Sequence, residues 1–214
     1  FDHPGFVEPF IEALTDGVRD LLAQLGDGAD AARDIRVLFA THSIPTSDAE
    51  RSGPRDRDFG EGGAYAAQHL AVSEIVAAEA ARALGLDRLD WELVYQSRSG
   101  PPTQPWLEPD INDRIAELPA AGVRAVAIVP VGFLSDHMEV LWDLDNEATE
   151  SAEEAGLLSV RVATPGSHAA FVRGLVDLVL ERRDGTPPAE RPALTELGPW
   201  FDVCLPGCCE NVRA

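Results

Sequence analysis

The sequence contains no lysine. Every basic residue is an arginine, and 17 of them face 37 carboxylates, for a formal net charge of −20. A field of that sign repels nucleic acid and anionic membrane surfaces, which excludes partners held by phosphate contacts. It also repels small anions at long range, so an anionic ligand needs local arginines or helix N-termini. No apolar run reaches the ~20 residues that cross a bilayer, and the N-terminus lacks a basic-then-apolar signal pattern. The expectation is a cytoplasmic protein with no integral membrane segment. Cysteine is absent until Cys204, and Cys208 and Cys209 follow at once. That distribution excludes a secreted disulfide framework. There is no Gly-x-Ser-x-Gly elbow, no Walker loop and no G-x-G-x-x-G, so hydrolase and nucleotide-binding readings lose ground. Neither an internal repeat nor a low-complexity tract is present.

What is present is an alternation of apolar runs and helical patterns. Val7 to Leu25 carries apolar residues at helical spacing and stops at Gly26. Ile35 to Thr41 is a continuous apolar run, suited to a strand buried on both faces. Thr46 to Gly63 is polar and reads as a long loop, a feature often functional in compact domains. Ala64 to Leu84 predicts a helix, Trp91 to Gln96 a strand, and Ser97 to Pro109 a loop. A helix capped by Asp110 extends to Ala121. Arg124 to Val131 is the strongest strand, Leu144 to Ala155 an acidic helix, and Leu158 to Ala163 a fourth strand. His168 to Arg183 closes the series as a helix with arginines in its final turn.

One helix followed by four strand–helix units predicts an α/β fold, a four-stranded parallel sheet with helices on both faces. The organisation is a domain over residues 1–183, then a Pro-rich connector and a cysteine-containing tail over 184–214. The chain opens without an initiator methionine and runs straight into a helix, so a fragment or a processed chain is expected.

In such sheets ligands bind beyond the carboxyl ends of the strands. Three distinctive segments lie there. The first strand ends in Ala40-Thr41-His42-Ser43-Ile44-Pro45. The third leads to Gly132-Phe133-Leu134-Ser135-Asp136-His137-Met138-Glu139. His42 and Glu139 can therefore meet at one sheet edge. An imidazole and a carboxylate there suit a divalent first-row metal such as ferrous iron, proton transfer, or both. Either Asp136 (on a first helical turn) or His137 (in extended chain) could converge with Glu139. Asp143, four residues on, would extend a carboxylate path away from the site. The second strand leads into Tyr95-Gln96-Ser97-Arg98-Ser99-Gly100-Pro101-Pro102-Thr103-Gln104-Pro105-Trp106. There an exposed-looking Trp106 could stack on a flat ligand while Arg98 meets a carboxylate and Ser97 offers a hydroxyl. Cys204, Cys208 and Cys209 form a soft-ligand cluster, which suggests zinc or an iron–sulfur cluster. Either usually takes four ligands, one more than the tail supplies.

These strings, taken in order with Leu141-Trp142-Asp143-Leu144-Asp145 and the opening His3-Pro4-Gly5-Phe6, resemble the ferrochelatases, which insert ferrous iron into a porphyrin. The resemblance implies a class II chelatase fold of two Rossmann-like halves, of which this chain is the C-terminal one. The other half of the same enzyme would be its missing partner. It implies catalytic roles for His42 and Glu139, metal contact at His42, Glu139 and Asp143, and a porphyrin cleft bordered by Ser97, Arg98 and Trp106. The tail resembles actinobacterial members whose three late cysteines help to hold a 2Fe-2S cluster, with a fourth cysteine upstream, and whose expected substrate is coproporphyrin III. The alternatives are a non-catalytic tetrapyrrole- or metal-binding module and a related cobaltochelatase.

Overall fold

The computed structural model describes residues 1–101 and 103–209. Helix α1 (Pro4–Leu25) begins three residues before the apolar periodicity because its start is built by a cap. His3 accepts the Gly5 N–H on Nδ1 at 3.0 Å, and Pro4 supplies a preset φ at the first helical position. Strand β1 (Ile35–His42) follows, then α2 (Gly63–Leu84), β2 (Trp91–Gln96), α3 (Ile111–Glu117) and β3 (Ala125–Val129). Pro130 lacks the N–H a longer β3 would need, and Pro119 tightens the end of α3 into a 3-10 turn over Leu118–Ala121. Strand β4 (Leu158–Arg161) and helix α5 (Ala169–Asp184) complete the domain.

Between β3 and β4 the helical stretch α4 starts earlier than its acidic spacing suggests. It opens as Met138–Val140, widens to a π-helix over Leu141–Ala148, and resumes as Thr149–Glu154. The long loop after β1 also holds one short helix, Thr46–Ala49.

The four strands are parallel in the order β2-β1-β3-β4, as the strand–helix alternation predicts. Their side chains split into two cores. Val37, Phe39, Ala127 and Val129 point to α1 and α2, where Val7, Phe10, Leu14 and Val18 are fully buried. Leu38, Ala40, Val126 and Ile128 point the other way, onto Ile111, Ile115, Val140 and Leu144. Period-2 alternation buried on both faces explains why the strands read as unbroken apolar runs. At ~25 cal/mol per Å² this burial is the dominant stabilising term.

The connector does not leave the domain. Asp2, 3% exposed, accepts hydrogen bonds from the Thr195 amide (3.2 Å) and hydroxyl (2.6 Å). Trp200 then sits edge-on to Phe1 at 5.9 Å and against Phe59 at the same distance. The last five residues of the tail lie outside the described residues.

Candidate active site at the carboxyl edge of the sheet

Register places the site. His42, the last residue of β1, lies opposite Gln96, the last of β2. Past β3 the chain stays beside β1, with the Gly132 amide donating to the Ala40 carbonyl at 3.2 Å. A Cβ at Gly132 would stand 2.1 Å from the Thr41 hydroxyl, so only glycine allows this approach. The turn that follows delivers Glu139 to the first turn of α4.

His42 and Glu139 do meet. Nε2 and Oε1 are 3.8 Å apart, and both side chains are about one-third exposed, 38% and 36%. The other ring nitrogen, Nδ1, contacts the Ser43 carbonyl. A carbonyl only accepts, so the contact assigns the proton to Nδ1 and leaves the Nε2 lone pair facing Glu139. A neutral imidazole so oriented can take a proton or a metal ion on Nε2.

Asp143 stands one turn on, in the π-helical stretch. A π-turn closes i to i+5, so residues four apart come close to the same helix face. Its carboxylate accepts from the Ser97 hydroxyl and, at 3.3 Å, from Gln96 Nε2. Gln96 is 1% exposed, and its Oε1 has no partner among the described residues. Ser97 holds φ +62, a left-handed conformation uncommon outside glycine. The hydroxyl expected to meet a ligand is therefore turned onto Asp143.

Other expectations change. Asp136 does not join Glu139: it takes Arg161 at 3.1 Å and the Thr164 hydroxyl at 3.0 Å. Arg161 also forks onto Asp145 at 2.6 and 2.8 Å. His137 lays its exposed ring against Phe133, centroids 5.4 Å apart. Arg98 pairs with Glu108 at 3.5 Å at the surface. Trp106 is half-buried rather than exposed, because its backbone pairs with Pro45 and its neighbour Leu107 donates to the Ile44 carbonyl at 3.0 Å. Its indole N–H is buried without a partner among the described residues.

A family profile described as Ferrochelatase matches residues 1–183. The chain belongs to the ferrochelatase family. It is 66% identical over its whole length to the coproporphyrin III ferrochelatase of Leifsonia xyli subsp. xyli, covering 55% of that protein. It is 54% identical to that of Tropheryma whipplei strain Twist, covering all of this chain and 53% of the relative. With that of Streptomyces coelicolor it shares 49% identity over 98% of this chain and 54% of the relative. The chain thus spans about half the length of the curated relatives it matches.

The strand-end site has a further support with no plain signature in the sequence. Tyr65, on α2, donates its hydroxyl to the His42 carbonyl at 2.7 Å. His69 donates from Nδ1 to the Tyr65 carbonyl at 2.7 Å and faces the Thr41 hydroxyl with Nε2 at 3.1 Å. Burial pushes the His69 imidazole below its ordinary value, so the neutral ring accepts from Thr41. Burial raises Tyr65, with a lesser contribution from the charge of Glu139, and keeps it a donor. The available signal was a tyrosine and a histidine four apart in an alanine-rich helix.

The cysteine tail folds against the loop that follows β1. Cys208 and Cys209 bring their sulfurs within 3.3 Å, and Gly53 donates its N–H to Cys209 Sγ at 3.2 Å. Burial pushes the Cys208 thiol up to about 12, and the Cys209 and Cys204 sulfurs add to that rise. The paired Cys208 and Cys209 sulfurs, with Cys204 nearby, are soft donors of the chemical type that thiolate-loving metals take. Among the described residues no group of three His, Cys, Asp or Glu side chains has closed into a metal-holding arrangement. No helix among them is long and apolar enough to cross a membrane.

Proposed function

We propose that this chain supplies one wall of an active site that inserts ferrous iron into coproporphyrin III in heme biosynthesis, with His42 and Glu139 handling protons and metal. The observation that carries the reading is the 3.8 Å approach of Nε2 to Oε1, with Nδ1 tied to the Ser43 carbonyl. The reaction releases two protons: Fe²⁺ plus the free-base porphyrin gives the iron porphyrin and 2 H⁺. Nε2 of His42 and the Glu139 carboxylate are acceptors set side by side for those protons. The same two atoms are first-row metal donors, so they serve equally to hand over iron.

Asp143 continues the acceptor line away from the pair, and Ser97 and Gln96 hold it in place. The segment from Ser97 to Trp106 borders the cleft, with the half-buried indole positioned to stack on a flat macrocycle. The acidic field of the chain favours approach of a cation such as Fe²⁺. Relatives named as coproporphyrin III ferrochelatases support coproporphyrin III as the substrate.

Cys204, Cys208 and Cys209 would hold a 2Fe-2S cluster together with a ligand from outside the trio. Such a cluster supplies one-electron chemistry and a covalent staple when bound. The cytoplasm is the compartment this reading assigns.

The test uses the full-length enzyme with coproporphyrin III and ferrous iron, followed by visible absorption. Near-wild-type insertion in both His42→Ala and Glu139→Ala would sink the assignment. Competition between iron and cobalt separates an iron enzyme from a cobaltochelatase.

A further inference from the structure

The cysteine tail and the strand-end histidine are joined by a short run of hydrogen bonds. Cys209 Sγ accepts from the Gly53 amide at 3.2 Å. The preceding residue, Ser52, is a two-sided anchor. Its hydroxyl donates to the Ala49 carbonyl at 2.6 Å and accepts the Tyr65 amide at 2.8 Å. The Tyr65 hydroxyl then donates to the His42 carbonyl at 2.7 Å. Three hydrogen bonds, linked by one peptide bond and one tyrosine, therefore run from a thiol to the backbone of His42.

The loop carrying this run has little freedom to absorb a displacement. Gly53 has φ +90, and a Cβ there would meet Ala64 Cβ at 2.6 Å. A Cβ at Gly63 would meet the Ala49 carbonyl at 2.0 Å. The tail grips the same loop at further points. Arg55 donates to the Gly207 carbonyl at 3.3 Å, and Phe59, with Arg57 over its ring at 5.2 Å, packs on Trp200. Cys209 itself holds φ +55, a left-handed conformation uncommon outside glycine. Tightly packed segments transmit displacement rather than dissipating it.

We propose that Ser52 and Tyr65 are positioning residues that couple the cysteine tail to His42, so that metal or cluster loading at Cys204, Cys208 and Cys209 resets the strand-end imidazole. The inference rests on the reading of the tail as a cluster site. Its geometric half, Cys209 holding the loop behind His42, stands on the hydrogen bonds alone.

The experiment loads the full-length enzyme with iron and sulfide and records both the visible absorption of the cluster and the ¹⁵N and ¹H resonances of the His42 ring. The expected result is a shift of the His42 resonances on loading, abolished in Ser52→Ala and in Tyr65→Phe while the visible absorption stays unchanged. A chromophore that forms without moving His42, or a shift that persists in both variants, overturns the coupling. If no chromophore forms, the cluster reading fails and the geometric half is tested separately. Cys209→Ala, which removes the acceptor of the Gly53 N–H, should speed hydrogen exchange at the Gly53 and Tyr65 amides about fivefold, the loss of roughly one hydrogen bond. Unchanged exchange at both amides overturns it.

Discussion

Ser97 gives its hydroxyl to the Asp143 carboxylate, tying the end of β2 to the π-helical part of α4. The bond holds Ser97 at φ +62. Glycine adopts that conformation without steric cost but loses more backbone entropy on folding, and the two effects nearly cancel. Ser97→Gly is therefore expected to keep thermal stability within ~1 kcal/mol of the parent. Iron insertion should fall roughly tenfold as Asp143 loses its tether. Calorimetry and turnover on the same preparation check both. Full turnover with unchanged stability would remove Asp143 from the path.

Glu139→Gln keeps shape and removes a proton acceptor. The expected loss is ~10²-fold in insertion rate, with a comparable loss for His42→Ala. Because the two side chains act on the same event, the double variant should lose much less than the product of the two. Strict additivity in that cycle would mean that the pair does not work as a unit.

Acid stability should depend on Glu92. Arg114 grips it through two hydrogen bonds of 2.6 and 2.8 Å, and Arg36 adds a third at 3.0 Å. These partners, Arg114 foremost, hold the carboxyl below its ordinary value despite the opposing effect of burial. A depressed carboxylate contributes stability that is present above its unfolded pKa of ~4.3 and is lost as pH falls through the lower folded value. Chemical denaturation between pH 7 and pH 3 should therefore show a smaller decline in Glu92→Gln than in the parent. Parallel curves would refute the linkage.

Gly132→Ala places a methyl group 2.1 Å from the Thr41 hydroxyl and 3.0 Å from its Cα. Backbone on one side and a packed strand on the other leave no room to yield, so the expected cost is ~1–3 kcal/mol. The substitution should also disturb Thr41 and, through Tyr65, the seat of His42. A thermal melt equal to the parent would show that the turn relaxes freely.

Replacing Cys204, Cys208 or Cys209 singly with serine should abolish the visible absorption of enzyme reconstituted with iron and sulfide, since a thiolate ligand is lost in each case. A spectrum that survives all three substitutions places the chromophore elsewhere.

Much of this arrangement was legible in the sequence because strands buried on both faces announce themselves as apolar runs. Two such runs ending in His42 and leading to Glu139 were enough to bring those residues to one edge. The π-helix was not legible: a widened turn changes which residues stack without changing composition, so Leu141 to Ala148 reads as ordinary amphipathic chain. The role of Ser97 was hidden because a left-handed residue aims its side chain where an extended one would not. Asp136, one of two open partners for Glu139, could not be placed from sequence because Arg161, which it takes, arrives from the next strand. Docking of the cysteine tail on Gly53 joins segments far apart in the chain, and neither end carries a local signature of the other.

The contact between Nδ1 and the Ser43 carbonyl imposes an order of events. It leaves the His42 ring one lone pair, and one lone pair has a single occupant. On the proposed reading, iron and a proton take turns on Nε2: a ring that receives iron is closed to protons until the metal moves on, and a ring already protonated turns iron away. Acid and iron thus compete for one seat. In that role the histidine would act as a turnstile that admits a proton only after its metal has left.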